Sequence, residues 1–166
     1  MTPAVMYLAL GTNLGDRAES LRHALAALAV EFTLEAVSSC YETEPAYVLD
    51  QPHFYNLTCK ATTTQTPQEV LHTLKRLEKE LGRVPGPRFG PRQIDIDLLF
   101  YDDLITTSPE LTIPHPRLHE RAFVLVPLAE IAPDLMHPVL GLTVAALRDR
   151  LGDTQQAVWR AEDCQL

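Results

Sequence analysis

The sequence predicts an α+β domain, a ferredoxin-like βαββαβ sandwich with additional C-terminal helices. Three observations carry this reading. Strand-like runs fall at residues 5–10, 32–39, 54–63 and 94–101. Helical spacing of apolar residues falls at 15–29 and 66–81. The order of these segments is strand, helix, strand, strand, helix, strand.

Val5 to Leu10 is almost wholly apolar and stops at Gly11, the pattern of a buried strand. Gly11-Thr-Asn-Leu-Gly-Asp16 interrupts it. Leu14, Ala18, Leu21, Leu25 and Leu28 then recur every three or four residues, which predicts a helix over 15–29. Phe32 to Ser39 alternates imperfectly, as a second strand. Tyr41 to Gln51 contains Glu44-Pro45, has no period and reads as loop. Phe54 to Thr63 is the third strand. Thr66-Pro67-Gln68-Glu69 has the spacing of a capping box with proline at the first helical position. Val70, Leu71, Leu74, Leu77 and Leu81 form the apolar stripe of that second helix, which Gly82 ends. Arg83 to Arg92 holds three prolines and two glycines and must be loop. Ile94 to Tyr101 is the fourth strand. Helices are predicted over Ala122–Ile131 and Val144–Leu151, and a short final strand at Gln156–Trp159.

The chain has 166 residues, 46% of them apolar, enough for the core of one domain spanning 1–166. No apolar run approaches the ~20 residues that cross a bilayer. The N-terminus shows neither a basic stretch nor a long apolar segment of a secretory signal. Cys40, Cys59 and Cys164 are odd in number and widely spaced, which fits a reducing cytoplasm rather than a disulfide framework. The net charge of −8 argues against nucleic-acid binding. Against that balance, Leu81 to Ile94 carries Arg83, Arg88 and Arg92 and no acid.

The chemistry concentrates around this cationic stretch. In Ile94-Asp95-Ile96-Asp97-Leu98 a strand turns the isoleucines and Leu98 to one face and both aspartates to the other. Their Cα atoms then lie about 6.6–6.8 Å apart. Two carboxylates so placed repel unless a cation joins them, and Mg²⁺ suits, because it completes its shell with water and phosphate oxygens. An isolated Asp-x-Asp is more often a solvated strand face. Arg88-Phe89-Gly90-Pro91-Arg92 immediately before it supplies planar guanidinium forks for phosphate. No glycine-rich phosphate loop is present, so a nucleotide would be held by side chains and metal. His115 and His119 have the i,i+4 spacing of a helical zinc pair, but Pro114 and Pro116 take His115 out of a helix. A phosphate-facing His115 and Arg121 fit better. Asn56 and Thr43 could read a heterocycle edge, and Phe54, Phe89 and Phe123 could stack a flat ligand, although each is also an ordinary core residue. A metal-dependent phosphohydrolase using the same acids with His115 remains a competing reading. So does a ferredoxin-like RNA-binding module, which lacks the aromatic strand run and the basic face it needs.

The run Arg88-x-Gly90-Pro91-Arg92-x-x-Asp95-Ile96-Asp97-Leu98-Leu99 resembles the central motif of the 6-hydroxymethyl-7,8-dihydropterin pyrophosphokinases of folate biosynthesis. Supporting stretches run in the right order from about residue 5 to 140. They are Leu8-Ala-Leu-Gly11-Thr-Asn13, Tyr41-x-Thr43-x-Pro45, Asp50-Gln-Pro-x-Phe-x-Asn56, Pro114-His115-Pro-Arg-x-His119-x-Arg121-x-Phe123-Val and Pro127-Leu-x-Glu130-Ile-Ala-Pro133. The resemblance implies diphosphate transfer from ATP, as co-substrate, to the pterin hydroxymethyl group with release of AMP. It implies two Mg²⁺ ions on Asp95 and Asp97, and catalysis by these acids with Arg83 and Arg92. ATP would be bound by Arg83, Arg88, Arg92, Thr112, His115 and Arg121. The reduced pterin would be bound by Gly11, Thr43, Phe54, Asn56, Phe89 and Phe123. It further implies a cytoplasmic monomer with no nucleic-acid or membrane partner, and loops near 11–15, 44–53 and 83–92 closing over the substrates. The chain departs from the family pattern in its short Pro85-Gly86-Pro87 loop, in Phe89 where tryptophan is common, and in Glu110 where some relatives are basic.

Overall fold

A central antiparallel sheet organises the chain, and one of its inner strands, β1 (Ala4–Thr12), is flanked on both sides. The computed structural model describes residues 2–44, 50–82, 94–152, 157–164 and 166. In chain order β1 is followed by α1 (Arg17–Glu31), β2 (Thr33–Val37), β3 (Tyr41–Thr43), β4 (Phe54–Thr63), α2 (Pro67–Glu80) and β5 (Asp95–Tyr101). A small hairpin of β6 (Thr106–Thr107) and β7 (Thr112–Ile113), a 3-10 turn at Leu118–Glu120, α3 (Ala122–Ile131), α4 (Val144–Leu151) and β8 (Val158–Arg160) complete it. The sheet order is β5-β1-β4-β3-β8, with β2 also pairing β4. Among the described residues the result is an α+β architecture with four α-helices and a central antiparallel sheet.

The two faces of the sheet bury different clusters. Met6, Leu8 and Leu10 of β1 pack with Leu21, Ala24 and Leu28 of α1 and with Val70, Leu74 and Leu77 of α2. Tyr7 of β1 packs on the opposite face with Leu99 and Phe100, under Val124, Leu125 and Leu128 of α3 and Val144 and Leu147 of α4. This alternation is the two-residue period of a strand, and packing on both faces accounts for the nearly unbroken apolar run Val5–Leu10. A bulge interrupts it: Leu8 pairs Leu98 while Tyr7 pairs Phe100, so Leu99 is the extra residue. The bulge turns both Leu99 and Phe100 onto the α3 face, beyond Asp97.

Local signals account for the helices. Asp16 caps α1 by accepting the Glu19 N–H, so the helix starts two residues later than its apolar spacing implies. Thr66 and Glu69 form the expected capping box, with bonds of 2.9 and 3.2 Å. Leu81 closes α2 on the Leu77 carbonyl, and Gly82 follows at φ 89°, a left-handed conformation that glycine adopts without steric cost. Within α3, Pro127 has no N–H to give the Phe123 carbonyl, and the helix continues through it.

Two expectations are corrected and one element is new. Tyr41–Thr43 is a strand, not part of a loop, because it pairs β4 on one side and β8 on the other. The final strand lies at Val158–Arg160, shifted from 156–159. The hairpin β6–β7 went unread, since two-residue strands have no period to detect. The Arg83–Arg92 loop lies outside the described residues.

One contact fixes β5 from its outer side. Glu78 of α2 is 3% exposed, and its carboxylate accepts the Ile96 N–H at 2.8 Å. Ile96 lies between Asp95 and Asp97, so a buried side chain holds the backbone that carries both. The Leu99 carbonyl on the same strand accepts the His115 N–H at 3.0 Å. Replacing Glu78 with alanine leaves the Ile96 N–H without this acceptor in a buried setting. Glu78→Ala should lose about 1–3 kcal/mol in urea unfolding; an unchanged midpoint would show that the bond contributes nothing.

Candidate functional site

The register of β1 decides which side chains meet. Gly11 stands opposite Asn56 of β4 on one side and Asp95 of β5 on the other. Ala9 stands opposite Thr58 and Asp97. Directly paired residues share a face, so Asp95, Asp97, Asn56 and Thr58 all project toward the α3 side. Tyr41 continues the first row beyond Asn56, and Thr43 pairs with Phe54 one step along the same face. On β1 the side chains facing this way shrink from Tyr7 to Ala9 to Gly11. The apolar cluster therefore gives way to a polar surface toward Gly11.

The absence of a side chain at Gly11 is required. A Cβ there would lie 2.6 Å from Asn56 Oδ1 and 3.9 Å from Phe54 Cδ1. The Asn56 amide is itself held, donating from Nδ2 to Thr43 Oγ1 at 2.7 Å. Asn56 and Thr43 are 6% and 1% exposed, so this pair is a fixed polar element. Four residues predicted for one ligand, Gly11, Thr43, Phe54 and Asn56, are thus brought together.

The second group gathers at Asp97. His115 lies within electrostatic reach of Asp97 and also of Arg121. Burial pushes the His115 imidazole below its usual value, Asp97 opposes this, and Arg121 and Arg117 add to it. Its Nδ1 accepts the Arg117 N–H at 3.2 Å, so the neutral ring carries its proton on Nε2. His115 can therefore donate to a phosphate oxygen without being charged. Arg121 Nε is buried with no hydrogen-bond partner among the described residues, and its guanidinium lies 5.5 Å from the Phe123 ring centroid. A buried donor left open in this way suits an anion. Thr58 Oγ1, in the Asp97 row, is likewise buried without a partner.

Asp95 and Asp97 are half-buried on one strand face, as the period of two predicts. The described residues hold no cluster of three or more His, Cys, Asp or Glu that could cage a metal. Mg²⁺ needs no cage: one or two carboxylates suffice when substrate phosphates and water complete its shell. The donor set fits that ion. Thr112 sits on β7 opposite Thr107. Arg83, Arg88, Phe89 and Arg92 lie outside the described residues.

Two positions escaped the sequence reading as site supports. Glu78 interrupts the apolar stripe of α2 one turn after Leu74, and an acid on a buried face is the signal it offered. Asn13 donates to Gln51 Oε1 at 2.9 Å and to the Pro52 carbonyl at 3.0 Å. It ties the segment before Phe54 to the end of β1. Arg17 adds a bond to the His53 carbonyl at 2.9 Å.

Fold and face together define an α+β domain with paired carboxylates on one side of a glycine gap and a buried amide on the other. The chain belongs to the 7,8-dihydro-6-hydroxymethylpterin-pyrophosphokinase (HPPK) family, whose model matches residues 7–133. The 2-amino-4-hydroxy-6-hydroxymethyldihydropteridine pyrophosphokinase of Aquifex aeolicus is 40% identical over 136 residues, 82% of this chain and 85% of that protein. The folate synthesis bifunctional protein, mitochondrial, of Pisum sativum is 46% identical over 129 residues, 76% of this chain and 25% of that protein. A crystal structure of Plasmodium falciparum HPPK-DHPS with pteroate shares the fold, with a TM-score of 0.72 and 18% identity over 90% of this chain and 44% of that one. The chain spans 20–25% of the length of the first curated relatives it matches.

Gly11→Ala tests the gap itself. The added methyl must displace the Asn56 amide while the strand pairing stays. The side-chain amide resonances of Asn56 should move strongly in a two-dimensional NMR spectrum, with amide shifts of the α1–α2 core unchanged. Unmoved Asn56 resonances would contradict the close approach.

Proposed function

We propose that this chain transfers diphosphate from Mg-ATP to the hydroxymethyl group of 6-hydroxymethyl-7,8-dihydropterin, releasing AMP. The observation that carries the reading is the shared sheet face, which sets Asp95 and Asp97 across Gly11 from Asn56 and Thr43 in a chain of this family.

In this reading Asn56, held by Thr43, hydrogen-bonds the amide edge of the pterin. Phe54, Phe123 and Phe89 contact its faces, and Gly11 admits the ligand close to the backbone. The hydroxymethyl group then points toward the acidic pair. Asp95 and Asp97 would hold two Mg²⁺ ions, which when bound neutralise phosphate oxygens and make the alcohol easier to deprotonate. The alcohol gives up its proton to solvent as its oxygen bonds to the β-phosphorus, and the bond from that phosphorus to the α–β bridging oxygen breaks, so AMP leaves with that oxygen. Arg121 and the neutral His115 donate to the triphosphate, with Arg83, Arg88, Arg92 and Thr112 contributing to ATP. The chain's own contribution is positioning and fixed donors, the usual resources for phosphoryl transfer.

The ferredoxin-like reading belongs to the same proposal. It is supported by the order β5-β1-β4 with β2 and β3 beyond β4, the order 4-1-3-2 of a βαββαβ unit if β2 and β3 count as one broken strand. Among the described residues no helix is long and apolar enough to cross a membrane. A cytoplasmic monomer acting on ATP and reduced pterin, without nucleic acid or membrane, completes the proposal; the pea relative is named as mitochondrial.

The test is incubation with ATP, Mg²⁺ and the reduced pterin, followed by separation of nucleotides. AMP should form only when pterin is present, and Asp97→Asn should lower the rate by at least about a hundredfold with the fold intact. ADP, or phosphate released without an acceptor, would instead support the phosphohydrolase reading.

A further inference from the structure

Glu130 lies in the Pro127-Leu-x-Glu130-Ile-Ala-Pro133 block, to which no role in the reaction falls. Its carboxylate accepts from three groups at and just before the start of β3. Oε1 accepts the Tyr41 hydroxyl at 2.6 Å and the Ser39 N–H at 3.1 Å. Oε2 accepts the Ser39 N–H at 3.0 Å and the Ser39 hydroxyl at 3.0 Å. Arg160 of β8 stands 3.7 Å from Oε1, and its guanidinium lies 5.9 Å from the centroid of the Tyr41 ring. One side chain of α3 therefore grips the start of β3 at three groups and draws in β8.

The location gives this grip a consequence. Phe123 and Glu130 are seven residues apart on α3, about two helical turns, and so lie on one stripe of that helix. Tyr41 pairs directly with Asn56, and Thr43 follows two residues later on the same face. Glu130 thus joins the helix that carries Phe123 to the strand that carries Thr43. Hydrogen bonds to a carboxylate are short, directional and stronger than neutral ones, so they fix a spacing where apolar contact alone permits sliding.

We propose that Glu130, through Tyr41 and Ser39, is a positioning residue that sets the distance between Phe123 and the Thr43–Asn56 pair, and with it the width of the pterin slot. The inference rests on the substrate reading above, in which these residues contact pterin. It predicts a selective effect. Loosening the clamp changes one wall of the slot relative to the other, while Asp95, Asp97 and the Glu78 contact that holds them belong to β5 and α2. Arg121 caps the same helix and shares in any shift of it, but the other proposed nucleotide contacts lie elsewhere, so pterin affinity should fall by much more than nucleotide affinity.

The experiment measures equilibrium binding of 6-hydroxymethylpterin by its fluorescence, and of Mg²⁺ with a non-hydrolysable ATP analogue by calorimetry. The proteins are wild type, Tyr41→Phe, Glu130→Gln and the double variant. Tyr41→Phe deletes one hydroxyl and keeps the ring, so it reports even if Glu130→Gln fails to fold. Each single variant should weaken pterin binding by about tenfold, the scale of one bond to a charged group. Nucleotide binding should stay within about twofold. The double variant should lose no more than the worse single variant, because both changes break one clamp. Unchanged pterin affinity in a folded Tyr41→Phe would overturn the proposal. So would a parallel loss of both ligands, the mark of general loosening. Wild-type protein that binds the nucleotide analogue but no pterin would overturn the substrate reading and the clamp's role in it together.

Discussion

The pairing of β1 with β4 and β5 is the constraint on which the rest depends. Because Gly11 faces Asn56 on one side and Asp95 on the other, a single register fixes where the amide stands relative to the carboxylates. A slip of one residue on either side turns one partner to the opposite face. The buried residues Met6, Leu8 and Leu10 oppose that slip, since it would take them off α1 and α2 and put Tyr7 and Ala9 there in their place. The same apolar pattern that folds the sheet therefore aligns the site.

The contacts around that register divide the labour. Glu78 holds β5 from the outside at Ile96, and β1 holds it from the inside. Asn13 and Arg17 tie down the segment before Phe54, and Glu130 ties α3 to β3. Each of these side chains is charged or amide-bearing, and each binds backbone or a side chain distant in sequence. Burial of Glu130 disfavours its charge, but the hydrogen bonds from Tyr41 and Ser39 and the nearby Arg160 outweigh this and hold its carboxyl below the usual range. The carboxylate is thereby kept as an acceptor at neutral pH.

Much of this was legible in the sequence, and the reasons differ by element. The helix at Pro67–Glu80 announced itself by a capping box and a clean apolar stripe, and β4 and α3 fell at the expected bounds. The facing of Asp95 and Asp97 followed from a period of two. Tyr41–Thr43 did not, because three residues next to Glu44-Pro45 show no period and gain their strand character from β4 and β8, distant in sequence. The bulge at Leu99 is equally silent, since an apolar run reads the same with or without an extra residue. For the site, the family resemblance singled out Gly11, Thr43, Phe54 and Asn56 as candidates, but only the register shows that they share a face with the acids. The linkages made by Glu78, Asn13 and Glu130 span 18 to 91 residues and depend on tertiary packing.

The central proposal is that Asp95 and Asp97 hold metal, that Asn56 reads the pterin, and that both serve one reaction centre across Gly11. Replacing Mg²⁺ with paramagnetic Mn²⁺ in the presence of a non-hydrolysable ATP analogue tests it directly, by proton relaxation of bound 6-hydroxymethylpterin. The account predicts strong broadening of the hydroxymethyl protons, abolished in the Asp95→Asn, Asp97→Asn double variant. Bound pterin whose hydroxymethyl protons relax as they do with Mg²⁺ would place metal and alcohol apart, and would contradict the account.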